Sequence, residues 1–327
     1  VFFRDDSAEF SVDSSVEFSV NSSRILTFKR YALTGYILGS LRLWDTNGNL
    51  LAVLQHKDNK IKSAIFSPDG QQVLTTGDQN VRLWDKNGNL LTTLAHKDVA
   101  TIQFSPDGHR ILTIAKRDVH LWDRRGKLLA VLQDKYRVKS VIFSSDSKRI
   151  LTIGEWEGVK LWNSQGNLLA TLETANFSDH AIFSPDGSHI LTKNGASKSG
   201  CSGRLWDREG HLLAEIRREC GKVSGLIFSH DGNYLLAEAD HTVHLWDKRG
   251  NFIKEFLHHQ EKINSLGFSP DGRYILTYTL SVKANKAKEV IRLWNIKGNL
   301  IATIPVVTSR YENAFHSLHF SRGGRYI

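Results

Sequence analysis

The sequence predicts an all-β protein, a β-propeller of four-stranded antiparallel blades with seven blades as the favoured closure. Three observations carry this. Seven tryptophans, Trp44, Trp84, Trp122, Trp162, Trp206, Trp246 and Trp294, recur every 38 to 48 residues in segments such as LRLWD, VRLWD and VHLWD. A Phe-Ser pair precedes each of them, at Phe18, Phe66, Phe104, Phe143, Phe183, Phe228 and Phe268. A glycine follows each tryptophan four residues on, from Gly48 to Gly298. A period of about forty residues suits one four-stranded unit that stacks on its neighbours.

Each unit reads in order as four short strands, a to d. Strand a ends at the Phe-Ser pair, as in SAIFS. Strand b begins seven residues after the Phe, at Ile25, Val73, Ile111, Ile150, Ile190, Leu235 and Ile275, so the a–b hairpin has one length throughout. In the four FSPDG copies the turn takes a restricted φ from Pro68, a side-chain acceptor from Asp69 and a positive φ from Gly70, or from their counterparts. Strand c holds the tryptophan. The glycine after it fits the bulged position of a c–d hairpin, and strand d follows as in LLTTL. Strand c is apolar on both faces, Val81 and Leu83 against Trp84, which suits a sheet covered on each side.

The ends leave the closure open. Residues 15–306 hold seven repeats. Residues 1–14 read as the end of a preceding repeat or a closing strand, with Arg4 where a tryptophan would stand, and residues 307–327 start an eighth repeat at Phe320. The alternative is an eighth blade built from both termini. Methionine is absent, so the chain is expected to be a piece of a longer polypeptide.

The segments GNLLAxLxH, FSPDG, ILT and RLWD resemble WD40 repeats over nearly the whole chain, in a form similar to bacterial WD40 arrays attached to NACHT or NB-ARC-type signalling NTPases. The resemblance implies a protein-interaction scaffold, and a sensor module within a longer multidomain signalling chain. It also implies a buried tetrad of His, Ser or Thr, Asp and Trp, matched in full in the second repeat by His56, Thr76, Asp78 and Trp84 as a structural network.

All length variation between Phe and Trp falls in the b–c connection, and strand parity puts b–c and d–a connections on one edge of each sheet. Function collects on such loops. The candidate partner-binding residues there are Trp156, Tyr136, Arg137, Phe177, Lys57, Lys60, Arg117, Arg217, Arg218, Arg310 and Tyr311, of the aromatic and arginine types that anchor interfaces. Trp156 stands in a turn outside the repeat positions, and it reads either as an interface anchor or as a side chain folded over its own blade. The long b–c segments, residues 29–40, 193–202 and 279–289, are expected as loops.

A net charge of +9 allows binding of nucleic acid or another polyanion, the alternative reading, but acids interleave with the bases. A third reading is a propeller enzyme with a site at the channel mouth. The sequence holds no G-x-S-x-G elbow, H-E-x-x-H, P-loop or dinucleotide fingerprint. The histidines are scattered among repeat positions, and adjacent His258 and His259 point apart on extended chain. No catalytic residue, cofactor or metal is expected. No apolar run reaches a bilayer span, and the amino terminus carries acids where a signal peptide carries bases. Two cysteines, Cys201 and Cys220, build no disulfide framework. A cytoplasmic protein that binds a protein partner and no membrane is the expectation.

Overall fold

A computed structural model describes residues 12–18, 24–31, 37–38, 41–56, 60–77, 79–172, 180–193, 201–218, 223–239, 242–257, 262–283, 286–306 and 320. Among them the chain is all β, with seven four-stranded antiparallel sheets and no helix. The first sheet is β1 (Val12–Phe18), β2 (Arg24–Tyr31), β4 (Leu41–Asp45) and β5 (Leu50–Leu54); a small pair, β3 (Ile37–Leu38) and β6 (Lys60–Ile61), lies between sequence neighbours. The second is β7 (Ser63–Phe66), β8 (Gln72–Thr76), β9 (Val81–Asp85) and β10 (Leu90–Leu94), and the third is β11 (Thr101–Phe104), β12 (Arg110–Ile114), β13 (Asp118–Asp123) and β14 (Leu128–Gln133). The fourth runs β15 (Val138–Phe143), β16 (Arg149–Gly154), β17 (Val159–Asn163) and β18 (Leu168–Leu172); the fifth β19 (His180–Phe183), β20 (His189–Lys193), β21 (Cys201–Asp207) and β22 (Leu212–Arg218). The sixth is β23 (Val223–Phe228), β24 (Tyr234–Ala239), β25 (Thr242–Asp247) and β26 (Phe252–Leu257), and the seventh β27 (Lys262–Phe268), β28 (Tyr274–Lys283), β29 (Lys286–Asn295) and β30 (Leu300–Val306). This is the strand content of a seven-bladed propeller, and every sheet is the a-b-c-d meander that the repeat predicts. The first strand begins at Val12, inside the terminal segment 1–14. The rest of that segment and the eighth repeat lie outside the described residues, Phe320 apart, which packs on Leu276, Tyr278 and Ile291.

The seven-residue spacing becomes a cross-strand row. Phe66 pairs with Val73, which pairs with Trp84; Phe104, Ile111 and Trp122 repeat the register, as do Phe268, Ile275 and Trp294. Side chains alternate along a strand, so this aromatic row fills one face and the intervening aliphatics fill the other. The chain divides into two compact units, residues 1–143 with 162–167 and residues 144–161 with 168–327. In the first, Leu74, Val81, Leu83 and Leu94 of the second sheet bury against Phe104, Ile111 and Trp122 of the third. In the second unit Leu236, Val243 and Leu245 of the sixth sheet bury against Phe268, Ile275 and Trp294 of the seventh. Burying an indole's roughly 200 Å² is worth on the order of 5 kcal/mol before entropy.

Both hairpins are held by aspartates. Asp85 accepts the amides of Asn87 and Asn89 through Oδ1, and Asn89 Nδ2 donates to Oδ2. In the a–b turn the Ser67 hydroxyl donates to Asp69 and accepts the Gln72 amide. Glycine after the tryptophan has φ +87° at Gly88, with the predicted bulge beside it between Leu90 and Thr92. It also has a second role that spacing could not show: a Cβ at Gly88 would meet the Ala52 Cβ of the preceding sheet at 2.1 Å. The c–d turn of one sheet therefore presses its backbone onto strand d of the sheet before. Several of these turns also accept from that sheet, as Arg24 Nε donates to the Lys86 carbonyl and Arg110 Nε to that of Ser164.

The b–c segment 279–289 departs from the expected loop. Ten-residue strands β28 and β29 run paired out to Lys283 and Lys286, because LTYTLSVK and KEVIRLW are rich in β-branched and aromatic residues.

Gly88→Ala adds a methyl with no room at a positive φ, and is expected to cost about 3 kcal/mol. Gly48→Ala, at φ +84° with nothing within 4 Å of its Cβ, should cost only the backbone strain, about 1 kcal/mol. Urea midpoints of the two variants give the difference. In the a–b turn of the fifth sheet, partial burial would raise the Asp186 pKa, but bonds from the Ser184 hydroxyl and from the Ser188 amide and hydroxyl overcome it and lower it to about 2. The turn is then fully stabilised above the unfolded carboxylate's pKa near 4 and loses that stabilisation as pH falls from about 4 to about 2. Asp186→Asn should lose less stability than the parent over that interval in melts recorded against pH.

Candidate functional site

Neighbouring residues on strand b face opposite ways, and this decides which hydroxyl meets the tryptophan. Trp84 Nε1 donates to Thr75 Oγ1 at 2.9 Å, and His56 Nε2 lies 2.8 Å from the same oxygen. Thr76, the residue expected in that network, pairs with Val81 and points to the other face, so the tetrad's hydroxyl is Thr75. Asp78 lies outside the described residues. The bond recurs between Trp44 and Thr27, Trp122 and Thr113, Trp206 and Thr192, and Trp294 and Thr277, at 2.8 to 3.0 Å. In the sixth sheet Ala237 holds the threonine position, and the buried Trp246 Nε1 has no hydrogen-bond partner.

The third sheet adds a group that sequence reading missed. His96, on the d–a connection, places Nδ1 2.6 Å from Thr113 Oγ1. Trp122 donates to that oxygen, so the Thr113 hydroxyl proton is available to His96 Nδ1, which leaves Nε2 aimed at Asp118 Oδ2 3.6 Å away. His120 Nε2 reaches the same carboxylate oxygen at 3.4 Å, and the two imidazoles stack with centroids 3.7 Å apart and planes 8° off parallel. His96 is 5% exposed, His120 15% and Asp118 41%. Burial, then the adjacent His120, holds the His96 pKa down to about 4 against the pull of Asp118; burial likewise lowers that of His120. Both rings are therefore neutral near pH 7. The expectation of scattered histidines fails here because d–a and b–c connections meet at one edge. A usable signal was His120 itself, two residues before the tryptophan where five repeats carry Arg or Lys.

That edge also gathers expected partner-binding residues. The Arg117 carbonyl accepts from the Asp134 amide at 3.4 Å and the Lys116 carbonyl from the Val138 amide at 3.0 Å, so the b–c turn of the third sheet is tied to the d–a connection after it. Arg117, Tyr136 and Arg137 are exposed on these tied loops, Tyr136 by 39%, with Lys135 Nζ 5.5 Å from its ring centroid. Likewise the β3–β6 pair joins the first b–c segment to the next d–a connection, at Lys60. Trp156 is 56% exposed in the turn 155–158, in the other unit, so most of its side chain meets solvent. Arg217 and Arg218 lie on β22, Arg218 opposite Cys201. Lys57, Phe177, Arg310, Tyr311 and Cys220 lie outside the described residues. Paired apolar side chains on edge strand d, such as Leu90 with Leu91, Leu212 with Leu213 and Leu300 with Ile301, are also exposed.

The WD domain, G-beta repeat family matches residues 48–85, 88–123, 210–247 and 250–282. No curated protein sequence matches the chain significantly. Among 1241 solved chains that do match its structure, a crystal structure of the eukaryotic initiation factor superposes with a TM-score of 0.67 at 13% identity, covering 89% of this chain and 78% of its own. A likeness at that identity shows the fold alone.

Ala237→Thr should give Trp246 its missing acceptor and stabilise the chain by about 1 kcal/mol, read as a higher urea midpoint, whereas Thr113→Ala should lower it by at least as much. With four matched segments and the same Trp-to-Thr bond or its vacancy in further sheets, the chain carries WD40 repeats on an all-β fold of seven blades.

Proposed function

We propose that the chain is a non-enzymatic protein-interaction scaffold that engages its partner through the edge formed by b–c and d–a connections. The observation that carries this is the exposed group Arg117, Lys135, Tyr136 and Arg137 on two connections hydrogen-bonded to each other. Anchoring the loops lowers the entropy lost on docking, and an aromatic ring accompanied by arginine is the composition of an interface centre. Lys116 and Lys139 are also exposed, so the partner surface it suits is acidic. WD40 repeats generally mediate such scaffolding. The proposal that this is the sensor module of a longer cytoplasmic signalling protein is supported by the resemblance of its repeats to arrays of that kind.

Trp156, in the other unit, is a second exposed anchor. Nucleic acid is the rival partner for the same basic side chains, and the identity of the retained species separates the two, because contacts to an acidic protein and to phosphate both weaken with ionic strength.

The Tyr136→Ala, Arg137→Ala double variant should lose a partner that the parent captures from extracts of its own cells, at an unchanged melting temperature, with the retained species identified by mass spectrometry. Capture equal to the parent's would reject this edge, and capture of nucleic acid that disappears between about 50 and 200 mM salt would replace the protein reading.

A further inference from the structure

We propose that His96 Nε2, His120 Nε2 and Asp118 Oδ2 form a binding site for a divalent first-row transition metal of the zinc class. The three ligand atoms lie within 4.8 Å of one another, two of the separations being 3.6 and 3.4 Å. Ligand atoms around a tetrahedral ion with bonds near 2.0 Å stand about 3.3 Å apart, so these two separations already suit an ion and the change that binding requires is in ring orientation. Two imidazoles with one carboxylate are the donors that such ions select, and they disfavour calcium and magnesium.

Two further observations point to a ligand. His96 is nineteen-twentieths buried, yet Nε2 has no hydrogen-bond partner and is aimed at the cluster. Its other nitrogen already meets Thr113 Oγ1, which can accept a hydrogen bond from Nδ1–H when Nε2 is ligated; a ligating histidine needs such an outer partner to fix its tautomer. His120 Nδ1 is likewise buried without a partner, so that ring is oriented by its stack on His96 and by the 3.4 Å contact of Nε2 with Asp118 Oδ2. Stacked rings cannot both aim their in-plane lone pairs at one ion. Binding therefore turns the His120 imidazole about its Cβ–Cγ bond while His96 stays anchored. Asp118, 41% exposed, opens the site to solvent, which supplies an entry path and leaves a coordination position for water or an external donor.

The site would tie the d–a connection at His96 to strand c at His120, independently of any partner proposed above. The test is titration of the chelator-treated full chain with Co²⁺ and Zn²⁺, followed by calorimetry and by Co²⁺ visible absorption, with Ca²⁺ as the control. His120→Arg gives the residue that four other repeats carry there and Asp118→Asn keeps the side chain's shape, so both should fold; melts without metal verify it. The expected result is one equivalent bound with nitrogen and oxygen d–d bands, no thiolate charge-transfer band, and a loss of at least about tenfold in affinity in each variant. The proposal is overturned by binding that neither substitution weakens, by thiolate bands, or by no binding below about 1 mM.

Discussion

One hydrogen bond, from an indole N–H to a threonine hydroxyl, sets the internal geometry of the sheets. A tryptophan buried on a sheet face brings a large apolar area and a polar N–H that burial would otherwise leave unpaired at a cost of roughly 1 to 3 kcal/mol. Thr75, Thr113, Thr192 and Thr277 remove that cost from the adjacent strand, and each is buried. The bond is diagonal: Trp84 stands opposite Val73, and Thr75 is two residues further along the same face. Any slip of one residue between strands b and c would turn the hydroxyl away, so the pair fixes register as well as satisfying the indole.

The next constraint is how closely sheets approach. Ala52, Ala130 and Ala214 on strand d meet the backbone of Gly88, Gly166 and Gly250 in the turn that follows, each within about the space a single methyl would need. Small residue against no residue lets the c–d turn of one sheet sit on the strand of the last, and side chains such as Arg110 and Arg149 then reach carbonyls in that turn. Hairpin aspartates complete the device by holding the turn's own amides. The turn's conformation and its contact with the neighbouring sheet thus have one cause, and a substitution at the glycine damages both.

Sheet number, strand order, the Phe-to-Ile register and the c–d bulge were legible because each depends on spacing that repeats. Three things were not. The choice of Thr75 over Thr76 turns on side-chain parity within a run of two identical residues, which residue type cannot resolve. The second duty of glycine depends on an alanine in the preceding repeat, a contact between sheets. The extended β28–β29 hairpin reads as an insertion by length alone, while its strand content is carried by composition. Of the expected binding residues, Arg117, Tyr136 and Arg137 do come together on tied loops, because connections of one parity share an edge; the exposed apolar pairs on strand d went unrecognised because they read as core.

The same parity explains how chemistry enters a repeated scaffold. The position two before the tryptophan faces the side of the sheet where the d–a connection arrives, and in most repeats a long cation fills it and bonds locally. Arg82 donates to the Gln55 carbonyl, Lys160 pairs with Glu157 and Arg204 with Glu215. A histidine there is shorter, and what it meets depends on the connection. His244 in the sixth sheet lies 3.8 Å from Glu255 and next to Phe252, with no second imidazole described beside it. His120 meets His96, because the third repeat kept a histidine on its d–a connection, and Asp118 sits two residues away on the same face of the strand. One substitution on strand c therefore becomes a three-donor cluster only where the incoming connection already supplies an imidazole. The bond from Trp122 to Thr113 does not pass through that position, so the side chain at the edge can differ between repeats while the register below it is held.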